Sequence, residues 1–353
     1  MGTKAKKGKA PSTDTSSGKA VEVALRSIEN THGTYVKWLR DYSQKKLEVV
    51  STGSLGLDLS LISGGLVKGR LVEVYGKPSC GKSSLALSAA SSVTKSGGLV
   101  LYVDLEHALT PSLAMSFGID PDKLIVVQPY SGEEALDVMR TMIETSNISM
   151  CVLDSVASLV PQAELDGDFG TSLMGHQAKL VSRLCRDFVP LIGRTNTLLV
   201  VINQTRANLG TYGSSEVTTG GKSIPFYSSH RIKVSYVPGP QSAYLIRDQK
   251  GNVIGHRALF TVVKNKFGAA YGSSEATLYY GKGFSLMDEI VDIAVEVGII
   301  EKKGAWYVVG ENKLQGKHRV TEALEEDPKL KASILEELGK TLNISLEAYF
   351  ERA

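Results

Sequence analysis

Cysteine is scarce in this sequence of 353 residues, and no run of apolar residues is long. The three cysteines (Cys80, Cys151 and Cys185) are odd in number and lack CxxC spacing, which argues against a disulfide framework and against a zinc site. No stretch reaches the roughly 18 consecutive apolar residues of a membrane span. The basic N-terminus is not followed by the apolar segment of a secretory signal. These absences exclude membrane and secreted-scaffold classes and predict a cytoplasmic protein.

Neither sign of charge is in large excess. Lys and Arg number 40 and Asp and Glu 37, so the formal net charge is only +3, which is too small to identify a partner. Hydrophobic residues make up 42% of the chain. A globular composition at this length predicts about two domains with a sizeable core.

The N-terminal region divides into two segments. Residues 1–19 hold five lysines and no large apolar residue after Met1, a composition that predicts a disordered basic tail. A solubilising arm and a weak nucleic-acid contact are both open for this tail. Apolar residues at helical spacing between Val21 and Ile28 then predict a short amphipathic helix. We expect residues 20–43 to pack against another copy of the chain.

The central segment, residues 44–285, alternates short apolar runs with helical patterns. Continuous Val, Ile and Leu runs indicate strands buried on both faces of a mostly parallel, twisted sheet covered by helices. The runs are Leu71–Tyr75, Leu99–Leu105, Leu124–Val127, Cys151–Leu153 and Leu198–Ile202, continued by Ile232–Val237 and Ala258–Val263. Residues 286–353 predict a small C-terminal α/β domain, with helices over Met287–Val297 and Ala332–Leu342 and a strand at Trp306–Val309.

A phosphate-binding loop follows the first of these strands. Residues 76–83 match GxxxxGK[ST] in full, between a predicted strand and a helical run that starts at Ser84. Glycines let successive backbone N–H groups cradle phosphate oxygens, and the helix N-terminus adds a positive dipole. Lys82 is expected to reach the β- and γ-phosphates, and the Ser83 hydroxyl to bind Mg²⁺. The expected nucleotide-binding residues are Gly76, Lys77, Pro78, Ser79, Cys80, Gly81, Lys82, Ser83 and Ser84.

Two carboxylates lie at predicted strand ends. Asp154 closes an apolar strand in the Walker B pattern and, together with Ser83, is the expected Mg²⁺ site. Glu106 follows the second core strand. Ligands of open α/β sheets bind at the carboxyl ends of strands, so Glu106 is positioned to accept a proton from the water that attacks the γ-phosphate.

An ordered set of segments resembles bacterial RecA-type strand-exchange recombinases over residues 19–338. These segments are Ser51–Gly76 (STGSLGLDLSLISGGLVKGRLVEVYG), DLEHAL at 104–109, VINQTR at 201–206, TTGG at 218–221, VKNK at 263–266 and GAWY at 304–307. The resemblance implies a P-loop NTPase fold with an oligomerisation helix and a C-terminal domain. It implies a DNA-dependent ATPase that uses ATP and Mg²⁺, forms a helical filament on single-stranded DNA and exchanges strands with homologous double-stranded DNA.

The resemblance also assigns roles to individual residues. Glu106 resembles the catalytic glutamate, and Gln204 the glutamine that senses the γ-phosphate. Lys264 and Lys266 resemble a lysine pair that reaches the neighbouring subunit's ATP. Two Gly/Ser/Thr-rich loops, at about 164–176 and 205–223, would bind DNA. The DNA contacts implied are Met174, Lys179, Ser182, Arg186, Arg206, Leu209, Gly220 and Gly221, with Lys302 and Lys317 gathering duplex DNA.

Some positions depart from the family pattern. The usual adenine-stacking tyrosine is Leu113 here, and a nearby aspartate is Thr110, which leaves open how the base is held. Pro225 replaces a lysine beside Phe226, which puts cooperative coupling in doubt, and Leu259 replaces an arginine tied to repressor self-cleavage. The alternatives are a hexameric helicase with the same core fold and a non-catalytic recombination mediator.

Overall fold

The computed structural model describes residues 15–32, 47–167, 175–207, 216–346 and 349. The chain divides into two units, residues 1–46 and 47–353. In the first unit, helix α1 (Thr15–His32) begins before the predicted helix and includes the last five residues of the predicted tail. Its apolar side chains Val21, Val23 and Ile28 are exposed. Residues 1–14 and 33–46 lie outside the described part of the chain.

A large sheet organises the second unit. A small antiparallel ribbon precedes it and consists of β1 (Val49–Val50) and β2 (Leu66–Val67). The strands of the large sheet are β3 (Leu71–Gly76), β4 (Leu99–Asp104), β5 (Leu124–Val127), β6 (Ile148–Asp154), β7 (Leu198–Ala207), β8 (Glu216–Thr218), β9 (His230–Tyr236), β10 (Leu245–Arg247), β11 (Val253–Asn265), β12 (Ser273–Tyr279) and β13 (Gly283–Phe284).

Six of these strands are parallel, in the order β9-β3-β7-β6-β4-β5. Strands β11, β12 and β13 continue the sheet antiparallel beyond β9, while β10 pairs with β11 and β8 with β7. The central strands are buried on both faces, which explains their continuous apolar runs. In β11, by contrast, buried residues alternate with half-buried ones, as in a strand with one covered face. The predicted mostly parallel α/β fold is confirmed.

Helices cover both faces of the sheet. They are α2 (Leu55–Ser60), α3 (Lys82–Lys95), α4 (Pro111–Ser116), α5 (Gly132–Glu144), α6 (Gln162–Leu165), α7 (His176–Thr195), α8 (Ser223–Tyr227) and α9 (Gln241–Tyr244). One core cluster packs α3 against the sheet, and a second packs α5 and α7 against the opposite face. No helix in the described ranges is both long enough and apolar enough to cross a membrane.

The C-terminal region has its own core. It consists of α10 (Leu286–Glu296), β14 (Glu301–Lys303), β15 (Trp306–Val309), β16 (Asn312–Gln315), α11 (Lys317–Glu326) and α12 (Pro328–Leu342). Three antiparallel strands pack with these helices around Ile290, Tyr307 and Leu338. Leu55 of α2 belongs to the same cluster, so this region is joined to the large sheet by apolar contact.

Strand register brings the expected site residues to one edge. Asp104 of β4 is paired with Asp154 of β6, and Gly76 of β3 with Gln204 of β7. The carboxyl ends of these four parallel strands therefore lie side by side, at the edge where open α/β sheets bind ligands.

Candidate nucleotide and DNA site

The loop between β3 and α3 has the backbone that a phosphate cradle requires. A Cβ on Gly76 would lie 2.0 Å from the carbonyl oxygen of Val234, so no side chain fits there. Gly81 has φ +101° and directly precedes α3. Lys77, Pro78 and Ser79 are exposed on the loop, and the first N–H groups of α3 face the same space.

Cys80 anchors this loop. Its side chain is fully buried, and its Sγ lies 2.9 Å from the carbonyl oxygen of Lys77 and 3.2 Å from that of Val234. Burial raises the pKa of the Cys80 thiol. Cys80 is therefore an unreactive packing residue that ties the loop to β9.

Lys82 lies across the loop opening. Its Nζ donates to the carbonyl oxygen of Lys77 at 2.7 Å, which keeps the ammonium over the space that the loop encloses. Ser83 is exposed and Ser84 half-buried in the first turn of α3. The positive charge and the open helix end together form an anion site.

The predicted metal ligands lie close together. The Ser83 side chain lies beside the carboxylate of Asp154, and the Tyr102 hydroxyl donates to Asp154 Oδ2 at 2.7 Å. Burial raises the pKa of Asp154, and the hydroxyl groups of Tyr102 and Ser83 oppose that rise. A hydroxyl and a carboxylate are hard oxygen donors, the type that Mg²⁺ prefers, so the two residues fit that ion.

Glu106 is held by side chains from the next two strands. Its Oε1 accepts hydrogen bonds from Ser155 Oγ at 2.7 Å and from Gln204 Nε2 at 3.2 Å. Asp104 shapes the turn that contains Glu106, because its carboxylate accepts the N–H groups of Ala108 and Leu109. The structure thus brings Glu106 and Gln204 together. The carboxylate remains exposed to solvent, where an attacking water has access.

The two predicted base-binding positions lie on or beside α4. Thr110 caps this helix by accepting the Leu113 N–H at 3.2 Å, and it also lines an apolar cavity of about 430 Å³. Leu113 is half-buried and packs against the core. How these side chains meet a base stays a prediction.

Lys264 and Lys266 lie at the end of β11, on the far side of β9. The pairing of β11 with β9 shifts register between Val262 and Lys264, so a bulge redirects the strand before the two lysines. Lys264 Nζ donates to the carbonyl oxygens of Pro225 and Phe226, at 2.8 and 2.9 Å. Burial, then the positive charges of Lys266 and of Arg231, lowers the pKa of Lys264.

A cavity of about 450 Å³ gathers several predicted DNA contacts. Lys179, Ser182 and Arg186 line it from α7, together with Ser223, whose hydroxyl lies 2.7 Å from that of Ser182. Positions 179, 182 and 186 are spaced three and four residues apart along the helix, so they share one helix face.

The two loop glycines border the same helix. Gly220 and Gly221 have φ of +87° and +80°, and a Cβ on Gly220 would meet the Val181 side chain at 3.0 Å. Arg206 is exposed at the end of β7. Met174 and Leu209 lie outside the described residues.

The two C-terminal lysines differ in their surroundings. Lys302 is exposed on β14, with its Nζ 5.3 Å from the centre of the Tyr307 ring. Lys317 is half-buried, and its Nζ forms an ion pair with Asp292 at 2.6 Å. Of the two, Lys302 is the more available to an anionic ligand.

Several supporting residues were not singled out in the sequence. Tyr102, Asp104 and Asn203 interrupt apolar strand runs near their ends, and Ser155 follows one. Buried polar groups need hydrogen-bond partners, so a polar residue inside an apolar run is the signal that could have found them.

Comparison with known proteins agrees with this geometry. Residues 19–285 match the family model described as the RecA N-terminal domain, and residues 288–343 match the RecA C-terminal domain. The chain is 40% identical to Protein RecA of Caulobacter vibrioides over 92% of its own length and 90% of the relative. It is 39% identical to Protein RecA of Chlorobaculum tepidum, over 94% and 95% of the two chains, and 40% identical to that of Clostridioides difficile, over 95% of each.

Proposed function

This chain belongs to the RecA family of recombination proteins, and on that premise we propose that it polymerises on single-stranded DNA and catalyses homologous pairing and strand exchange, with DNA-stimulated ATP hydrolysis. The hydrogen bond between Gln204 and Glu106 carries this proposal. Gln204 lies at the base of the β7–β8 hairpin, one of the two predicted DNA loops. A DNA-induced shift of this hairpin therefore acts directly on the carboxylate at the phosphate site.

Hydrolysis would use residues of a single chain for the chemical step. The loop N–H groups and Lys82 bind the phosphates, and Glu106 accepts the proton of the attacking water. Ser83 and Asp154 would hold Mg²⁺, which would neutralise charge on the phosphates when bound. Ser155 and Gln204 orient Glu106 by hydrogen bonds to its Oε1.

Assembly would use a different part of the chain's surface. Lys264 and Lys266 lie at the end of β11, away from the chain's own phosphate loop, and would reach the ATP of the next subunit. Such a head-to-tail contact need not close, so it builds a helical filament. Removal of the γ-phosphate would weaken the contact, as in other nucleotide switches.

Single-stranded DNA would bind along α7 and the glycine pair. Lys179 and Arg186 supply cations, and Gly220 and Gly221 let a phosphate approach peptide N–H groups. The matched family models and relatives give no support to the alternatives, a hexameric helicase and a non-catalytic mediator.

The test is ATP hydrolysis with and without a single-stranded oligonucleotide, in the wild type and in Glu106→Gln. We expect strong stimulation by DNA in the wild type, and a fall of about 100-fold in Glu106→Gln because general-base catalysis contributes 10²–10⁴-fold. Glu144→Gln, at the exposed end of α5, is the control and should hydrolyse normally. Electron microscopy should show Glu106→Gln filaments that persist on DNA with ATP. Normal hydrolysis by Glu106→Gln, or a wild-type rate indifferent to DNA, would contradict the proposal.

A further inference from the structure

An acidic side chain is buried in the middle of the sheet, away from the phosphate loop. Glu73 lies on β3 between β7 and β9, and its side chain is fully buried. Its Oε1 accepts a hydrogen bond from Asn203 Nδ2 at 3.0 Å, and its Oε2 forms an ion pair with Arg231 Nε at 2.5 Å. A buried carboxylate is costly unless it is paired and hydrogen-bonded, so both bonds are needed to hold it there.

Hydrogen bonds through Asn203 connect this carboxylate to the nucleotide site. The Asn203 Nδ2 also donates to the carbonyl oxygen of Thr219 at 2.9 Å, and its Oδ1 accepts the backbone N–H of Gln204 at 2.9 Å. Asn203 therefore fixes both limbs of the β7–β8 hairpin at its base. Gln204 in turn donates to Glu106.

Through Arg231, the same carboxylate is connected to the end of β11, where Lys264 lies. Arg231 of β9 is the register partner of Glu73 on β3 and of Lys264 on β11. Its guanidinium also lies over the ring of Tyr75, 4.7 Å from the ring centre. Arg231 and Lys264 are like charges on neighbouring strands, which repel, and the Glu73 carboxylate offsets that repulsion. Lys264 then donates to the carbonyl oxygens of Pro225 and Phe226.

We propose that Glu73 is a positioning residue at the centre of an internal relay, which couples ATP at one subunit interface to ATP at the next. The relay runs from Glu106 through Gln204, Asn203, Glu73 and Arg231 to Lys264. It rests on the proposed function, in which Gln204 serves one ATP and Lys264 serves the ATP of the neighbouring subunit. A shift at either end changes the hydrogen bonds of one shared carboxylate, so occupation of one site changes the geometry of the other.

The test is the ATP concentration dependence of hydrolysis at saturating single-stranded oligo(dT). We expect the wild type to hydrolyse ATP with a Hill coefficient clearly above one. In Glu73→Gln the charge that holds Arg231 is lost, and the Hill coefficient should fall to about one. A purely structural loss would lower the amount of active protein without changing the shape of this curve.

A second variant distinguishes loss of the relay from misfolding of the first variant. Replacing a buried ion pair by well-packed hydrophobic residues of similar volume is often neutral or stabilising, whereas removing one partner leaves a buried charge unpaired. The double variant Glu73→Gln, Arg231→Met leaves no charge unpaired and keeps an amide oxygen for Asn203, so it should keep the wild-type urea midpoint while still lacking the relay. Glu275→Gln breaks the exposed Arg257–Glu275 pair between β11 and β12 and is the matched control, with a wild-type Hill coefficient expected.

The outcomes separate the two hypotheses. Hill coefficients near one in both relay variants, with the control unchanged, support the relay. A wild-type Hill coefficient in the folded double variant overturns the relay and leaves the proposed function intact. A wild-type protein without DNA-stimulated hydrolysis overturns the proposed function, and the relay with it.

Discussion

At the scale of single residues, the phosphate loop depends on a side chain from another strand. Ser79 has φ +60°, a conformation that costs energy for a residue other than glycine. The Tyr236 hydroxyl of β9 donates to the Ser79 carbonyl oxygen at 2.9 Å, and its ring is flanked by Tyr244 and His256. Burial raises the pKa of Tyr236, so the hydroxyl remains a donor over the working pH range.

Removal of that one hydroxyl should weaken nucleotide binding. In Tyr236→Phe the ring stays packed and Ser79 loses its partner, so we expect the KM for ATP to rise about fivefold, the effect of one hydrogen bond. The kcat should remain near that of the wild type, because no catalytic group moves. Steady-state kinetics would measure both constants. Tyr130→Phe, on a ring that is 77% exposed, is the control. An unchanged KM would show that the loop holds its shape without Tyr236.

At the scale of elements, α7 carries predicted DNA contacts on one face and an exposed arginine in its last turn that is not among them. Lys179 and Arg186 lie on the face that lines the predicted DNA cavity, whereas Arg194 is exposed in the last turn. Each cation that touches a phosphate releases a counterion from DNA on binding.

Arg186→Ala should therefore weaken binding to single-stranded DNA and lower the salt dependence. We expect the slope of log K against log salt to fall by about 0.7, the value for one phosphate on a single strand. Arg194→Ala is the same change on the same helix and should leave affinity and slope at wild-type values. Fluorescence anisotropy at several salt concentrations measures both quantities. Equal effects of the two substitutions would remove α7 from the DNA site.

The helices and strands also show which parts of the fold the sequence predicts and which it does not. Apolar runs predicted the buried parallel strands, and β3, β4 and β7 begin at the predicted residues. Strand β11 spans 13 residues, more than the six-residue run predicted, because Gly255, His256 and Arg257 interrupt the apolar pattern before that run and Lys264 and Asn265 end it. The bulge before Lys264 and the coupling of Glu73 to Arg231 depend on pairing between distant strands. Local composition does not contain that information.

At the scale of the whole second unit, two buried acids join the segment around α2 to the C-terminal region. Glu289 of α10 accepts hydrogen bonds at Oε2 from Ser54 Oγ and the Gly56 N–H, and its Oε1 has no partner among the described residues. Asp58 accepts from Ser51 and from the hydroxyl of Tyr349. Burial raises the pKa of Glu289 to about 8 and that of Asp58 to about 6. Both groups are therefore protonated in the folded protein over part of the range in which the unfolded chain is ionised.

This difference gives the stability a definite dependence on pH. An unfolded Glu loses its proton near pH 4.5, and Glu289 in the folded protein keeps its proton to about pH 8. Between these values the folded state binds more protons, so the free energy of unfolding decreases as the pH rises and levels off above about 8. Asp58 acts in the same direction, but only between 3.8 and about 6. The buried His230 and His256 have lowered pKa values and act in the opposite direction around the unfolded His pKa of 6.5, so Glu289 is isolated by comparing the wild type with a variant at that position.

Glu289→Gln should remove this decrease in stability. The amide is neutral at every pH, and its oxygen can still accept from Ser54 and Gly56, so the cost of ionising a buried group disappears. We expect the wild-type urea midpoint to fall between pH 6.5 and 8.5 and that of the variant not to fall, so that the variant is the more stable protein at pH 8.5. Glu296→Gln, on an exposed side chain of the same helix, should follow the wild-type curve. Parallel curves for the wild type and Glu289→Gln would mean that Glu289 is already ionised in the folded protein, with its Oε1 stabilised by a group that compensates the charge.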